Sequence, residues 1–593
     1  MVKSAGRPDY LFEVSFEVAN KIGGIYTVLK SKSNYMSRHY GKGYCLVGPL
    51  NLDKSATEFQ VREPSERTQK VFYSLEDEGI KCHYGKWLAR GKPRTILIDF
   101  QEAMPRANEL KEQLWKDYKV DSWNAGYDFD EPVVWSWSVG MLLDALQREY
   151  KSKMVGHFHE WLAGAGLLHI KKNNPRIGTV FTTHATVLGR AAAASGTLAS
   201  DIKNPDKKAV EWGVQAKHLL EKATAKNANV FSTVSETTAL EANQILGRKP
   251  EVLVINGLNL ENFPTLEEFS INHVKYRDII KDFLIPYFFP YHSVNVKDSL
   301  IFFISGRNEF HAKGLGMFMK SLGQLNRKMK KAKTKKDVFV FVWVPDAVRG
   351  VPVSLLQSLT LYQEMKNDVE AESEKIARKL LDTLIKLEMP KSDDLLDEDF
   401  LYEARKDIQS FSRKGPAPLS AFELDSNNYI IKVLRENGLE NKPKDKVHVI
   451  FYPAYLGPAD GLLNLSYYEA VMGCHLGVFP SFYDPWGYTP LETAGCGVPT
   501  VTTDLTGFGK FIKEHDGGKK GIFVLGREGK TEEESTTALS DLMFKFVKFS
   551  KNERIENKVE AKRLSRLAGW KKLSKNYFKA HQMAMKKSKC KGR

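Results

Sequence analysis

The sequence predicts an α/β protein made of two doubly wound parallel-sheet domains. Short runs rich in β-branched and aromatic residues, such as YLFEVSFEV and SLIFFISGR, alternate with helical stretches along the chain. This alternation is typical of parallel sheets covered by helices on both faces. At 593 residues the chain is too long for one hydrophobic core. The runs form two series that separate near residues 260–295, which indicates two such domains.

Three segments are expected along the chain: an N-terminal domain over 1–265, a C-terminal domain over 266–550, and a basic helix over 551–593 that docks on the body. A helical insertion is expected over 355–440, because residues 355–387 lack Gly and Pro and repeat apolar residues at helical spacing. The long helix over 355–387 could pack against its own domain or mediate self-association, and both alternatives stay open.

Composition and charge exclude several classes of protein. The chain is 42% hydrophobic and 27% charged, as expected for a soluble globular protein, and it lacks an apolar run of about 20 residues that could span a membrane. Its five scattered cysteines favour neither disulfides nor zinc, and a reducing cytoplasm fits best. Of the formal charge of +16, +12 lies in 551–593, so a nucleic-acid groove spread over the fold is not expected.

Candidate functional residues follow several predicted strands. NKIGGIYTV opens a helix with Gly23 and Gly24, which could admit a phosphate or form a plain turn. HFHEWLAG and TTHATVLGR place histidines at strand ends, and Arg190 could reach over the same end as His184. Strand-end histidines are usually satisfied core residues, and no metal-ligand spacing supports a metal site here.

The second domain carries two further motifs. SGRNEFHAKG places Arg307 and Lys313 around a turn, where they could clamp a diphosphate or simply be surface charges. SFYDPWGYTPLET contains Asp484 and Glu492. Locally, Thr489 is predicted as the N-cap of a helix and Glu492 as its capping-box acid. Alternatively, the amides of residues 487–489 bind an anion while the two carboxylates hold sugar hydroxyls.

Taken together, these motifs resemble the glycogen synthases of the animal and fungal type over nearly the whole chain. The resemblance rests on FEVSFEVANKIGGIYTVLKSK, HFHEWLAGAGL, FTTHATVLGR, GRKPEVLVINGLN, FFISGRNEF, GCHLGVFPSFYDPWGYTP and LTGFGKFI. It implies the GT-B fold and the transfer of glucose from UDP-glucose, with retention, to the non-reducing 4-OH of an α-1,4-glucan. It also implies that neither a metal nor another cofactor is needed.

The resemblance carries over roles for particular residues. It implies a catalytic set made of Arg307, Lys313, Asp484, Arg190 and His184. It implies a substrate-binding set made of Lys21, Gly23, Gly24, Asn256, Tyr467, His475, Trp486, Gly487, Tyr488, Thr489 and Glu492. In these sets the two C-domain cations neutralise the UDP diphosphate, and we expect them to face the helix start at 487–489 across an interdomain cleft. Glu492 would grip the ribose, Tyr467 would stack near the uracil, and Asn256 and His475 would line the glucose and phosphate pocket.

The sequence departs from the family at two places. Asp484 stands where the family has Glu, which leaves open a different donor or acceptor, or an inactive glucan-binding scaffold. The segment that resembles the family's glucose 6-phosphate-sensing helix keeps Arg563 but has Lys558, Lys562 and an opposing Glu560. Lysine lacks the planar fork that suits phosphate, so activation by glucose 6-phosphate is not expected. A homo-oligomer formed through the 355–387 helix is expected, and a glycogenin-like priming partner stays open.

Overall fold

The computed structural model describes residues 7–389, 391 and 395–589. Residues 1–6, 390, 392–394 and 590–593 lie outside the described residues. They belong to the start of the predicted first segment, to the predicted insertion, and to the end of the predicted last segment, which includes Cys590. Two sheets organise the described chain, one of nine strands and one of seven. The predicted class, two doubly wound α/β domains, is therefore confirmed.

The first sheet has the strand order β3-β4-β5-β2-β1-β6-β7-β8-β9. Its strands are β1 Tyr10–Val14, β2 Tyr44–Pro49, β3 Phe59–Val61, β4 Lys81–Trp87, β5 Arg94–Asp99, β6 Met154–His159, β7 Gly178–Thr183, β8 Val230–Thr233 and β9 Val252–Leu253. All pairings are parallel except those of β3 with β4 and of β4 with β5. This antiparallel edge was not predicted, because β4 (KCHYGKW) is largely polar, is partly exposed and does not form an apolar run.

Helices cover both faces of the first sheet. They are α1 Gly24–Tyr40, α2 Leu52–Ser55, α3 Glu66–Glu76, α4 Ala107–Tyr118, α5 Tyr127–Tyr150, α6 Gly164–Asn173, α7 Val187–Ala194, α8 Pro205–Glu211, α9 Gln215–Asn227 and α10 Glu236–Leu246. The central strands β6 and β7 are buried at every residue, including two histidines on β6 and three threonines on β7.

The second sheet has the strand order β12-β11-β10-β13-β14-β16-β15. Its strands are β10 Leu300–Ser305, β11 Val338–Trp343, β12 Val447–Phe451, β13 Leu476–Val478, β14 Thr500–Thr503, β15 Lys519–Lys520 and β16 Ile522–Leu525. Adjacent strands β10 and β13 run parallel, with Phe302 opposite Leu476 and Phe303 opposite Gly477. This register aligns the residues that follow β10 with those that follow β13, and so it positions the candidate site.

The helices of the second domain include the predicted long helix. They are α11 Leu266–Phe288, α12 Leu315–Lys331, α13 Val353–Ile385, α14 Glu398–Phe411, α15 Tyr429–Glu436, α16 Tyr467–Gly473, α17 Tyr488–Gly495, α18 Gly507–Asp516 and α19 Glu532–Lys548. α13 corresponds to the helix predicted over 355–387. Its first half is tied to α11, since Lys366 Nζ lies 3.0 Å from an Asp282 carboxylate oxygen.

The basic C-terminal segment forms two helices, α20 Lys551–Ser565 and α21 Trp570–Lys589, so the prediction of a single helix is wrong. A 3₁₀ turn over Arg566–Ala568 separates them and redirects the chain. α20 packs against α17 of the second domain, whereas α21 packs on β7 of the first. No helix among the described residues is both long and apolar enough to cross a membrane.

Candidate functional site

The carboxyl edge of the second sheet encloses a cavity lined by predicted site residues. Arg307 and Lys313 follow β10, while Asp484 and Thr489 follow the adjacent β13, and all four line the cavity. Ligands of open α/β sheets bind at such strand ends. The two cations do face the start of α17, but they do so from a neighbouring strand of the same sheet. The expectation that they face it across the interdomain cleft is therefore wrong.

Each cation in this cavity has a carboxylate partner. Lys313 Nζ lies 2.8 Å from Asp484 Oδ2, and both side chains are at most one-fifth exposed. Arg307 is 63% exposed at its side chain and lies 2.7 Å from Glu309 Oε1. A bound diphosphate could therefore replace one carboxylate at each cation.

Two glycines allow the backbone to close around the cavity. Gly314 has φ +70°, and a Cβ there would lie 2.2 Å from the Pro480 carbonyl oxygen, so only glycine permits this approach of the β10 turn to the end of β13. Gly487 has φ +104° and is the N-cap of α17. Among the described residues, none accepts a hydrogen bond from the amides of Tyr488 or Thr489. These free amides could bind an anion.

The local capping prediction for α17 is wrong. The helix begins at Tyr488 rather than after Thr489, and no side chain caps it. Glu492 instead accepts a hydrogen bond from the Tyr468 hydroxyl at 2.8 Å. Burial raises the pKa of Glu492 to about 7, and the Tyr468 hydrogen bond opposes this shift. Glu492 is thus not committed to its own helix end.

Tyr467 lies at the side of the cavity. Its hydroxyl is 2.9 Å from Ser305 Oγ, and Ser305 is the last residue of β10 and lines the cavity. The aromatic ring lies edge-on to Trp343, with ring centroids 6.5 Å apart. This position is adjacent to the cations and is compatible with a base-stacking role.

Glu17 of the first domain, on which the charges of Arg190 and Arg307 act, was not predicted from the sequence. Its Oε2 accepts hydrogen bonds from the amides of Gly23 at 2.9 Å and Tyr26 at 2.8 Å. The Gly23 amide is thus already bonded, contrary to its expected role toward phosphate, while Gly24 and Lys21 are exposed.

Charges from both domains act on the Glu17 carboxylate. Burial raises the pKa of Glu17, and the positive charges of Arg190 and Arg307 both partly oppose the shift. One carboxylate therefore lies within electrostatic reach of an arginine from each domain. Sequence could not identify Glu17, because a glutamate just after a strand carries no motif of its own.

The carboxyl end of β7 presents His184 and Arg190. His184 Nε2 lies 2.9 Å from His159 Nδ1, and an Arg190 nitrogen lies 3.8 Å from Glu160 Oε1. Asn256, in the loop after β9, is buried, and its Oδ1 has no hydrogen-bond partner among the described residues. The neighbouring Gly257 carbonyl accepts a 3.2 Å hydrogen bond from the Tyr488 hydroxyl, which brings this loop to α17.

Two predicted site residues lie elsewhere. His475 precedes β13 and makes two hydrogen bonds with Ile301. The His475 amide donates to the Ile301 carbonyl at 2.7 Å, and the Ile301 amide donates to His475 Nδ1 at 3.0 Å. It is therefore at the amino end of the sheet, opposite the cavity. Trp486 is buried beside Phe508 and Phe511 and lines a separate interdomain cleft.

Glu13, His157 and His159 place ligand-type atoms within 4.8 Å of one another. Lys32 Nζ contacts the same Glu13 oxygen that His159 contacts. An ammonium group thus occupies the position beside this carboxylate where a metal cation would have to bind. The absence of a metal requirement stays a prediction.

The fold and the site together define a class of protein. Two Rossmann-like domains with a cavity at the strand ends of the second match the GT-B architecture that the sequence resemblance implies. Among solved structures, the catalytic domain of starch synthase IV from Arabidopsis thaliana, bound to ADP and acarbose, matches with a TM-score of 0.52. The alignment covers 98% of this chain and 100% of that one at 11% sequence identity, so it shows the fold alone.

Sequence comparison identifies the family. The glycogen synthase family model matches residues 13–591. The glycogen [starch] synthase of Neurospora crassa is 34% identical over 98% of this chain and 84% of its own length. The human liver glycogen [starch] synthase is also 34% identical, with the same two coverages. The chain belongs to the glycogen synthase family.

Proposed function

We propose that this protein transfers glucose from UDP-glucose to the non-reducing 4-OH of an α-1,4-glucan, with retention of configuration. The observation that carries the proposal is the cavity in which Arg307 and Lys313 meet the unbonded amides at the start of α17. Two cations and a helix N-terminus form a binding site suited to a diphosphate.

The chemistry needs charge stabilisation at the leaving group. As the bond from the glucose C1 to the UDP oxygen breaks, negative charge grows on the diphosphate, and Arg307 and Lys313 stabilise that charge. The acceptor 4-OH forms the new bond on the same face of the sugar, and its proton passes to the departing phosphate oxygen. Glu492 binds the ribose, and Tyr467 lies beside the base.

Asp484 supports this arrangement from beside Lys313. Its carboxylate accepts a hydrogen bond from the Lys313 ammonium, and it can accept one from a sugar hydroxyl once Lys313 turns to the diphosphate. Aspartate is one methylene shorter than the glutamate that the resemblance implies. The contact between this acid and the sugar is therefore where we expect this chain to differ from its family.

Two alternatives remain: a retaining GT-B transferase with another donor or acceptor, and a glucan-binding scaffold without activity. Labelled UDP-glucose and glycogen should give chain extension with one UDP released per glucose added. Competition with ADP-glucose distinguishes the proposal from the first alternative, because preferential transfer from ADP-glucose would indicate another donor. The scaffold is favoured if glycogen co-sediments without UDP release and Asp484→Glu then creates activity. Absence of turnover with every nucleotide sugar tested contradicts the proposal.

Regulation by glucose 6-phosphate is proposed to be weak or absent. Arg563 on α20 is bonded to Glu560, with its closest contact at 2.6 Å, and to Asp516 at 2.8 Å. Burial lowers the pKa of Lys562 to about 8, and its Nζ donates to the Gly495 carbonyl at 2.6 Å. These contacts occupy two cations that a phosphate would otherwise use. The transfer assay with and without glucose 6-phosphate measures the effect.

We further propose a cytoplasmic enzyme that needs no metal and forms a homo-oligomer through α13. Several apolar residues in the second half of that helix are exposed, among them Val369, Leu381, Leu384 and Ile385. A second copy of the chain would cover them. A glycogenin-like primer is compatible with a glucan acceptor, and transfer to a short malto-oligosaccharide without any protein primer would argue against a requirement for one.

A further inference from the structure

A fully buried chain of polar side chains leads from α1 to His184. Lys32 on α1 and Glu13 on β1 have no exposed side-chain surface, and Lys32 Nζ contacts Glu13 Oε1. His159 Nε2 lies 2.8 Å from the same oxygen, and the Tyr44 hydroxyl donates to Oε2 at 2.6 Å. His159 Nδ1 then lies 2.9 Å from His184 Nε2. The order is therefore Lys32, Glu13, His159, His184.

The charge on Glu13 sets the direction of the first hydrogen bond. Burial alone would raise the pKa of Glu13. The Lys32 ammonium and the His159 hydrogen bond together outweigh burial and hold this pKa well below its usual range. Glu13 is therefore ionised, and a carboxylate can only accept hydrogen bonds. His159 must carry its proton on Nε2.

The direction of the second hydrogen bond follows from the neutrality of the imidazoles. Burial lowers the pKa of His159, and burial together with the neighbouring His159 lowers that of His184 well below its usual range. Each neutral ring has one proton. Because the His159 proton is on Nε2, its Nδ1 accepts, and His184 must donate from Nε2. His184 Nδ1 is left without a proton, and no described residue is hydrogen-bonded to it.

We propose that Lys32, Glu13 and His159 are positioning residues that hold His184 in the tautomer whose Nδ1 accepts a hydrogen bond from a sugar hydroxyl. The inference rests on the proposed function for the identity of the ligand, but the tautomer is defined without it. His184 lies at the strand end beside Arg190, where a donor sugar would bind. Because His184 Nδ1 can only accept a hydrogen bond, it favours a ligand hydroxyl, which can donate one, over a ligand group that can only accept.

This role explains why an ion pair is buried here. A buried Lys–Glu pair is costly to desolvate, and apolar residues of similar volume often stabilise a fold as well or better. A second buried chain in the same region, Tyr40–His581–His157, has no charged member of its own, and its His157 Nδ1 is 3.8 Å from Glu13 Oε1. The ionised Glu13 gives the His184 chain a fixed donor direction, which a neutral chain does not impose.

The test is the tautomer of His184 by ¹⁵N NMR on the full-length protein with labelled histidine, assigned with His184→Asn. We expect the proton on Nε2 and a bare Nδ1. His159→Leu should mix the two tautomers, whereas His159→Gln should preserve the expected one, because its amide N–H can donate to Glu13 and its oxygen can accept from His184. Tyr40→Phe is the control, since it removes a hydroxyl from the second chain only.

Kinetics supply a second readout. His159→Leu should lower kcat/KM for UDP-glucose about tenfold or more, and His159→Gln should restore most of it. In a His184→Ala background, His159→Leu should cost nothing further. A proton on Nδ1 of His184 in the unmodified protein would overturn the inference, as would equal losses for the Gln and Leu variants. If the protein transfers no glucose, the proposed function fails, but the NMR result still decides the tautomer.

Discussion

At the scale of single residues, the proposed chemistry depends on the pairing of Lys313 with Asp484. An ammonium held 2.8 Å from a carboxylate is neutralised by it, and it becomes available to a diphosphate when that contact exchanges. The lysine is therefore already positioned where negative charge grows during transfer. This preorganisation is the source of electrostatic catalysis.

Lys313→Met should lower kcat by about 10²-fold or more, because one pre-placed cation stabilises the leaving diphosphate by a few kcal/mol. Initial-rate kinetics with UDP-glucose and glycogen check this. Lys320→Met is the control, since Lys320 lies on α12 but pairs with Glu532 at the surface, 2.6 Å away. A loss below threefold for Lys313→Met would remove this cation from the mechanism.

Glu492 predicts a pH dependence of nucleotide binding. Its pKa is raised to about 7 by burial, so its carboxyl is mostly protonated at pH 6 and mostly ionised at pH 8. If the ionised form accepts the ribose hydroxyls, UDP affinity should rise severalfold between pH 6 and 8. Calorimetric titrations measure this, and Glu492→Gln should flatten the profile.

The raised pKa of Glu492 also affects the stability of the fold, which falls as pH rises, whereas nucleotide affinity is expected to increase. A carboxyl with a raised folded-state pKa favours the fold in its protonated form, so that contribution is complete below pH 4.5 and is lost as pH rises through about 7. Without ligand, Glu492→Gln should therefore gain stability relative to the unmodified protein as pH increases. An identical pH dependence of stability in both proteins would contradict the assigned pKa.

The sequence predicts several residues at strand ends, but it does not predict which residues the fold brings next to them in space. Arg307, Lys313 and Asp484 came together because parallel strands carry their carboxyl ends to one edge. His475 was misplaced because it belongs to the same motif yet precedes its strand. Glu17 was missed because its importance depends on amides and arginines that only the fold brings to it.

At the scale of elements, the apolar strands were predictable and the helix boundaries less so. A buried strand such as β10 is apolar at almost every position, and this pattern is visible in sequence. The start of α17 was predicted two residues late because Thr, Pro and Glu imitate a capping box, whereas the left-handed Gly487 begins the helix in the fold.

The exposed half of α13 predicts a change in oligomeric state. Leu381 and Ile385 are 58% and 69% exposed, and a glutamate at both positions should place like charges in any helix-mediated interface. We expect the double variant Leu381→Glu/Ile385→Glu to sediment as a monomer at micromolar concentration, where the unmodified chain sediments as an oligomer. Val210→Glu, at an exposed site on α8, is the control. A monomeric unmodified chain would refute the interface.

At the scale of the whole molecule, the C-terminal segment joins the two domains. α20 packs on the second domain and α21 on the first, and between them Leu258 forms a bridge with Gly569. Trp570 is fully buried at this junction, and its Nε1 donates to Ser31 Oγ at 2.8 Å. The sequence predicted that this basic segment would dock, but not that it would cross from one domain to the other.

Trp570→Ala should therefore destabilise the protein by about 3–5 kcal/mol, as expected when a buried tryptophan is truncated. Urea titration followed by circular dichroism measures the loss. Trp123→Ala, at a side chain 52% exposed, should change stability by less than about 0.5 kcal/mol. Equal effects of the two variants would show that the junction contributes little to stability.

The most direct test of the account is a crystal structure with bound UDP. We expect the diphosphate in the cavity at the carboxyl edge of the second sheet, contacted by the guanidinium of Arg307, the ammonium of Lys313 and the amides that begin α17. In that structure Lys313 should have moved from Asp484 toward phosphate oxygens. A nucleotide bound elsewhere, or a diphosphate that leaves the Lys313–Asp484 pair intact, would contradict the account.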